Sequence, residues 1–217
     1  MRFLWWLCIV LIFTGCDNTR SVSESPSNHE SAEPDISSSQ PNTSGFKPFY
    51  VYADKGSREN HFIPSGFMGS VKCLALNDAW SQKCYSGKTC MKITYDTACS
   101  SADQTWAGIY WLNPANNWGR RKGGFDLRGA QKLTFWAKGE QGGEQIQEFI
   151  IGGIEGDYPD TDKAVIGPVI LTPNWKQYII DLRGSDLSYV SGGFAWTTED
   201  AVNPESAVFY LDDIRYE

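Results

Sequence analysis

From residue 46 to the C-terminus, no stretch of ten or more residues keeps the 3.6-residue apolar spacing that an amphipathic helix needs. Short apolar or alternating runs recur instead, separated by Gly, Pro, Asn and Asp. They predict strands near 48–53, 69–76, 88–96, 105–112, 131–138, 146–153, 165–171, 175–182, 192–196 and 207–216. Turn signals fall between them at Ser86-Gly87, Asn113-Pro114, Gly123-Gly124, Gly139 to Gly143, Thr172-Pro173-Asn174 and Arg183-Gly184. Many short strands with regular punctuation point to an all-β antiparallel sandwich. No period of 20–50 residues repeats, which argues against a propeller or solenoid. Nine Trp, ten Tyr and eleven Phe beside 21 Gly fit the same class.

Alternation assigns faces. In Lys132 to Lys138, Leu133, Phe135 and Ala137 point one way, while Thr134, Trp136 and the lysines point the other. In Gln177 to Leu182, Tyr178, Ile180 and Leu182 form the core face. The last run, Phe209 to Ile214, carries the adjacent carboxylates Asp212 and Asp213.

The N-terminus reads as an address. Arg2 is followed by an apolar run from Phe3 to Phe13 and then Thr14-Gly15-Cys16, the pattern of a secretory signal peptide over 1–15. The run is too short to span a bilayer. Phe13-Thr14-Gly15-Cys16 also resembles the lipobox of bacterial lipoproteins, although that motif prefers Leu where Phe13 stands. The resemblance implies lipidation of Cys16 and a membrane-anchored protein of the bacterial cell envelope, facing periplasm or exterior. Two or more acyl chains would anchor stably, at about 0.8 kcal/mol per buried methylene. Residues 16–45 are rich in Ser, Pro, Asn and Glu, with Val22 and Ile36 the only branched aliphatics. They predict a disordered tether with a reach of about 30 Å.

Charge and cysteine usage narrow the function. A net charge of -7 leaves no electrostatic footprint for nucleic acid. Two histidines, His29 in the tether and His61 in the folded part, give little scope for His-based metal or catalytic sites. Cys73, Cys84, Cys90 and Cys99 predict two disulfides in an exported domain, with three connectivities open, and their spacing suggests that they staple one corner.

Several stretches are similar to known modules when taken together: FIPSGFMG at 62–69, GIYWLNPANNWG at 108–119, FDLRGAQKLTFWAKGE at 125–140, NWKQYIIDLRGSDLS at 174–188, GGFAW at 192–196 and FYLDDI at 209–214. They resemble the galactose-binding-like jelly roll of carbohydrate-binding modules, family 11 most of all. Residues 108–217 carry most of the likeness. The resemblance implies a non-catalytic binder of a polysaccharide or oligosaccharide, of β-glucan-like type. Aromatic rings would stack on sugar faces and polar groups would take the hydroxyls. The candidates are Trp106, Tyr110, Trp118, Arg120, Trp136 and Trp196, with Trp118 and Trp136 the better placed. Trp80, Trp111 and Trp175 are expected in the core. Such modules often carry structural Ca²⁺, and Asp54 and Asp212 are the expected ligands, both hard oxygen donors.

Two other classes stand beside this one. An envelope lipoprotein that binds a protein partner would suit an exposed aromatic patch equally well. A small polysaccharide-active enzyme would need paired carboxylates. Glu144 and Glu148 on one strand would lie about 13 Å apart, too far for direct glycoside hydrolysis.

Overall fold

The computed structural model describes residues 45–99, 101 and 103–217. The expected signal peptide, Cys16 and the expected tether up to residue 44 lie outside the described residues. Thirteen strands are present, and none of the regular elements among the described residues is an α-helix. They are β1 (Phe49–Tyr52), β2 (Ile63–Gly69), β3 (Leu74–Trp80), β4 (Cys90–Tyr95), β5 (Trp106–Leu112), β6 (Lys132–Gly139), β7 (Gln145–Ile146), β8 (Glu148–Gly152), β9 (Lys163–Ile166), β10 (Val169–Ile170), β11 (Lys176–Asp181), β12 (Gly192–Glu199) and β13 (Ala207–Tyr216).

Two antiparallel sheets enclose the core in a β-sandwich of the galactose-binding-like jelly-roll type. The six-stranded sheet runs β11-β6-β13-β4-β3, with β1 on the C-terminal half of β13. The five-stranded sheet runs β2-β5-β12-β8-β9, and β7 pairs with β10 apart from both. Alternation decides which residues meet between the sheets. Leu133, Phe135 and Ala137 of β6, Ile93 of β4, and Phe209 and Leu211 of β13 are buried against Ile109, Trp111, Phe149, Phe194 and Trp196 of the other sheet. The rings interlock edge to face: Trp196 meets Phe209 at 4.9 Å between centroids and 89°, and Phe135 meets Phe194 at 5.1 Å and 61°. Such contacts add about 0.5–1.5 kcal/mol each beyond area burial.

Most strands fall where the pattern places them. One is missing from the prediction. Ile63–Gly69 forms an edge strand although it contains Pro64 and Gly66, residues that strand interiors disfavour. An edge tolerates Pro, which has no N–H to give to a ladder. The predicted strand at 69–76 is therefore two elements, with β3 beginning at Leu74.

The cysteines pair as Cys73–Cys99 and Cys84–Cys90. This corrects the expectation of one stapled corner. β3 and β4 form a hairpin with Leu74 opposite Tyr95. The first disulfide closes its open end and the second closes its loop end.

Candidate functional site

The outward face of the six-stranded sheet carries the strongest concentration of exposed chemistry. Register sets its layout. Lys138, Tyr210, Lys92 and Asn77 lie side by side on β6, β13, β4 and β3. Gln177, Trp136 and Asp212 form the next row on β11, β6 and β13. Trp80 and Trp175 stand at the two ends of the first row, with centroids 6.1 and 6.4 Å from Tyr210.

Lysines sit between the rings. The Lys92 ammonium lies 4.5 Å from the Trp80 centroid and 5.8 Å from Tyr210. The Lys138 ammonium lies 4.5 Å from Tyr210 and 5.8 Å from Trp175. Trp80, Gln82, Lys83, Lys138, Glu140 and Trp175 are among the residues that line a cleft of about 450 Å³ here, with Tyr210 also on its wall. The Tyr210 hydroxyl donates to Glu140 at 2.6 Å. Burial, then this carboxylate, raises the Tyr210 pKa far above the usual phenol value. Glu140 is held below the ordinary carboxylate range first by that hydrogen bond, against the opposing cost of desolvation, and then by Lys92, Lys138 and Lys83.

The β3–β4 loop supplies a fifth ring and folds back over the sheet. Tyr85 stacks flat on Trp136, with centroids 3.6 Å apart and planes 14° apart, and its centroid lies 6.4 Å from that of Trp175. The Trp175 indole donates to the Lys83 carbonyl at 2.9 Å, and the Trp80 indole donates to the Gln82 carbonyl at 2.9 Å. Two carboxylates fasten the loop from beneath. Asp54 accepts the amides of Lys88 at 2.8 Å and Thr89 at 2.6 Å. Asp212 accepts the amides of Ser86 at 2.9 Å and Asp213 at 2.8 Å. Between them Gly87 has φ +60°, and a Cβ there would stand 2.4 Å from the Asp54 carboxylate, so the turn admits only glycine. Burial pushes the Asp212 carboxyl up to about 7, opposed by the Ser86, Asp213 and Tyr85 amides.

These bonds bear on calcium. Asp54 and Asp212 are occupied by N–H donors, the opposite of what a cation offers, and this donor set fits a loop clamp rather than a Ca²⁺ shell. Among the described residues, the one cluster of three or more potential metal ligands is Cys84, Cys90 and Asp212. Its two sulfurs are already bonded to each other.

The structure separates the other candidates. Trp136 lies on the face away from the core, half-buried under Tyr85. Trp196 faces the opposite way: it is wholly buried between the sheets and offers no platform, because its strand β12 is central in the five-stranded sheet. Tyr110 is on the outer side of that sheet but is buried, with Trp118 edge-on to it at 5.7 Å and its hydroxyl donating to the Gly152 carbonyl at 3.2 Å. Trp118 is 37% exposed and Trp106 41% exposed, and neither belongs to the ring row on the six-stranded sheet. Arg120 is exposed on the loop after Trp118. Glu144 packs its carboxylate on Gly139, whereas Glu148 lies in β8 of the five-stranded sheet, so the pair is divided between elements.

Two tryptophans reverse their expectation. Trp111 is core, but Trp80 and Trp175 are half-exposed walls of the cleft. Tyr85, Lys92 and Tyr210 were not singled out from sequence. Alternation holds the signal for two of them: with Phe209 and Leu211 inward, Tyr210 faces outward, and with Met91 and Ile93 inward, so does Lys92. Tyr85 sits on a loop, where no periodicity speaks.

The architecture is that of β-sandwich carbohydrate-binding modules. A family 30 carbohydrate-binding module matches with a TM-score of 0.55 at 17% identity, covering 79% of this chain and 98% of that one. The family 30 module of a cellulosomal cellulase of Clostridium thermocellum matches with a TM-score of 0.51 at 18% identity, covering 79% and 97%. A family 11 module of the same organism reaches a TM-score of 0.44 at 15% identity, covering 66% and 81%, too distant to argue from. No family model and no curated protein matches the chain. At these identities the likeness establishes the fold.

Proposed function

We propose that this protein is a non-catalytic binder of polysaccharide, and that Trp80, Tyr85, Trp136 and Trp175 form its platform around the buried Tyr210. The observation that carries the reading is the row of rings in mutual contact on one open sheet face. Rigid aromatic area lies where a β-linked, β-glucan-like chain can stack, with few torsions to freeze. The matched structures are carbohydrate-binding modules, and their shared sandwich supports the reading at the level of scaffold. The separation of Glu144 from Glu148 supports binding without hydrolysis. We further propose that Cys16 is the lipid attachment site and that residues 17–45 hold the module off the envelope membrane.

Affinity electrophoresis through gels containing soluble polysaccharides tests the binding. Retardation is expected for the wild type and is lost in Trp175→Ala, with the circular dichroism unchanged. Migration unaffected by every glycan would overturn the reading, and retention of a purified envelope protein by the same face would put the protein-interaction class in its place. Metabolic labelling with a radioactive fatty acid, abolished by Cys16→Ser, tests the anchor.

A further inference from the structure

The lysines of the cleft have no counterpart in the aromatic platform alone. Lys83 and Lys138 line the cleft, Lys92 stands beside it against Trp80 and Tyr210, and all three strengthen the acidity of Glu140. None of them takes part in an ion pair among the described residues, where every pair involves Lys55, Arg128, Lys132, Arg183 or Arg215. Glu140 is the one carboxylate on the cleft wall. Glu144 also acts on Tyr210 electrostatically, but it lines the neighbouring pocket. Asp212 lies beneath the loop and is satisfied there by amides. The groove thus carries a surplus of positive charge on a chain whose net charge is -7.

We propose that the glycan this groove takes is acidic, a polysaccharide whose sugars carry carboxylate groups. This rests on the platform reading and refines its ligand. Ammonium groups resting on ring faces are already partly stripped of water, so a carboxylate arriving over those rings meets less remaining desolvation cost. Lys92 and Lys138 flank Tyr210 on either side, about 10 Å apart across two strand spacings, so a chain stacked along the row passes both. The overall negative charge repels polyanions in general, so the attraction depends on the rings and lysines acting together.

The test uses the full chain in detergent and compares polygalacturonate and alginate with neutral mixed-linkage β-glucan, with dextran sulfate and polyglutamate as further arms. The expected result is uronate binding about tenfold tighter than neutral glycan at low salt, as two partly exposed charge contacts would give. The advantage shrinks at high salt, since exposed charges are screened within about 10 Å at 0.1 M. It also shrinks in the Lys92→Gln/Lys138→Gln double variant, whose melting temperature verifies folding. Equal or tighter binding of neutral glycan without salt dependence overturns the acidic ligand while leaving the platform standing. Binding of polyglutamate as tight as uronate overturns it as simple ion exchange, and preference for dextran sulfate overturns the carboxylate assignment. Retention of none of these polymers overturns both this inference and the platform it rests on.

Discussion

The two outer faces of the sandwich use the same residue types to opposite ends. On the five-stranded sheet, Tyr110, Leu112, Ile150, Ile154 and Ala195 pack into a second, smaller core with Met68 against it. Trp118 leans on Tyr110 and Gly66, where a Cβ would come within 3.0 Å of the indole, so the ring serves as a cover. On the six-stranded sheet, Tyr210 is equally buried, but its neighbours are lysines and two half-exposed tryptophans across an open cleft. An aromatic residue becomes a platform where charged side chains keep the surroundings wet, and packing where small and aliphatic residues let a loop close over it.

Truncation should separate packing from platform. The largest effect is expected for Trp196→Ala, which leaves a cavity between the sheets and costs about 3–5 kcal/mol in denaturant unfolding. Trp118→Ala should cost about 1–2 kcal/mol, since the ring is partly exposed, and leave glycan retention unchanged. Loss of retention there would break the comparison by making the second face a ligand site. Trp175→Ala should cost a comparable amount, about 1–2 kcal/mol, while weakening binding about tenfold, read by titration calorimetry.

Acidity offers a finer probe of the loop that covers one face. Because Asp212 is raised from 3.8 to about 7 in the folded protein, its neutral form stabilises the fold below the lower value, and that stability is lost as pH rises through the upper one. Between pH 4 and 8 the melting temperature of wild type should fall roughly 10 °C more than that of Asp212→Asn. Parallel curves for the two proteins would show that the carboxyl titrates normally.

The sandwich was legible because period-two alternation is a local signal, repeated at β4, β6, β11 and β13. β2 was not, since its Pro and Gly are tolerated only by its edge position, which is a property of the whole sheet. The site was legible in part. Alternation turned Trp136 outward, yet Trp80 follows a register shift between Asn77 and Trp80, and Trp175 precedes its strand, so neither could be assigned a face from spacing. Trp196 misled for a related reason: its position at the end of a Gly-rich run suggested exposure, but β12 continues to Glu199 through the middle of its sheet. Loop closure brought in Tyr85, and it depends on bonds between Asp212 and Ser86, 126 positions apart in the chain.

The paired sulfur bridges at the two ends of the β3–β4 hairpin act as bookends. β3 is the outermost strand of its sheet, and such a strand is the one most prone to slide or to recruit a foreign chain. A slip of β3 by one position would swing Asn77 into the oil and Leu76 into the water. Tied at both extremities, the ladder has nowhere to slide, and the pattern of charge and ring shown to the outside is set by covalent bonds.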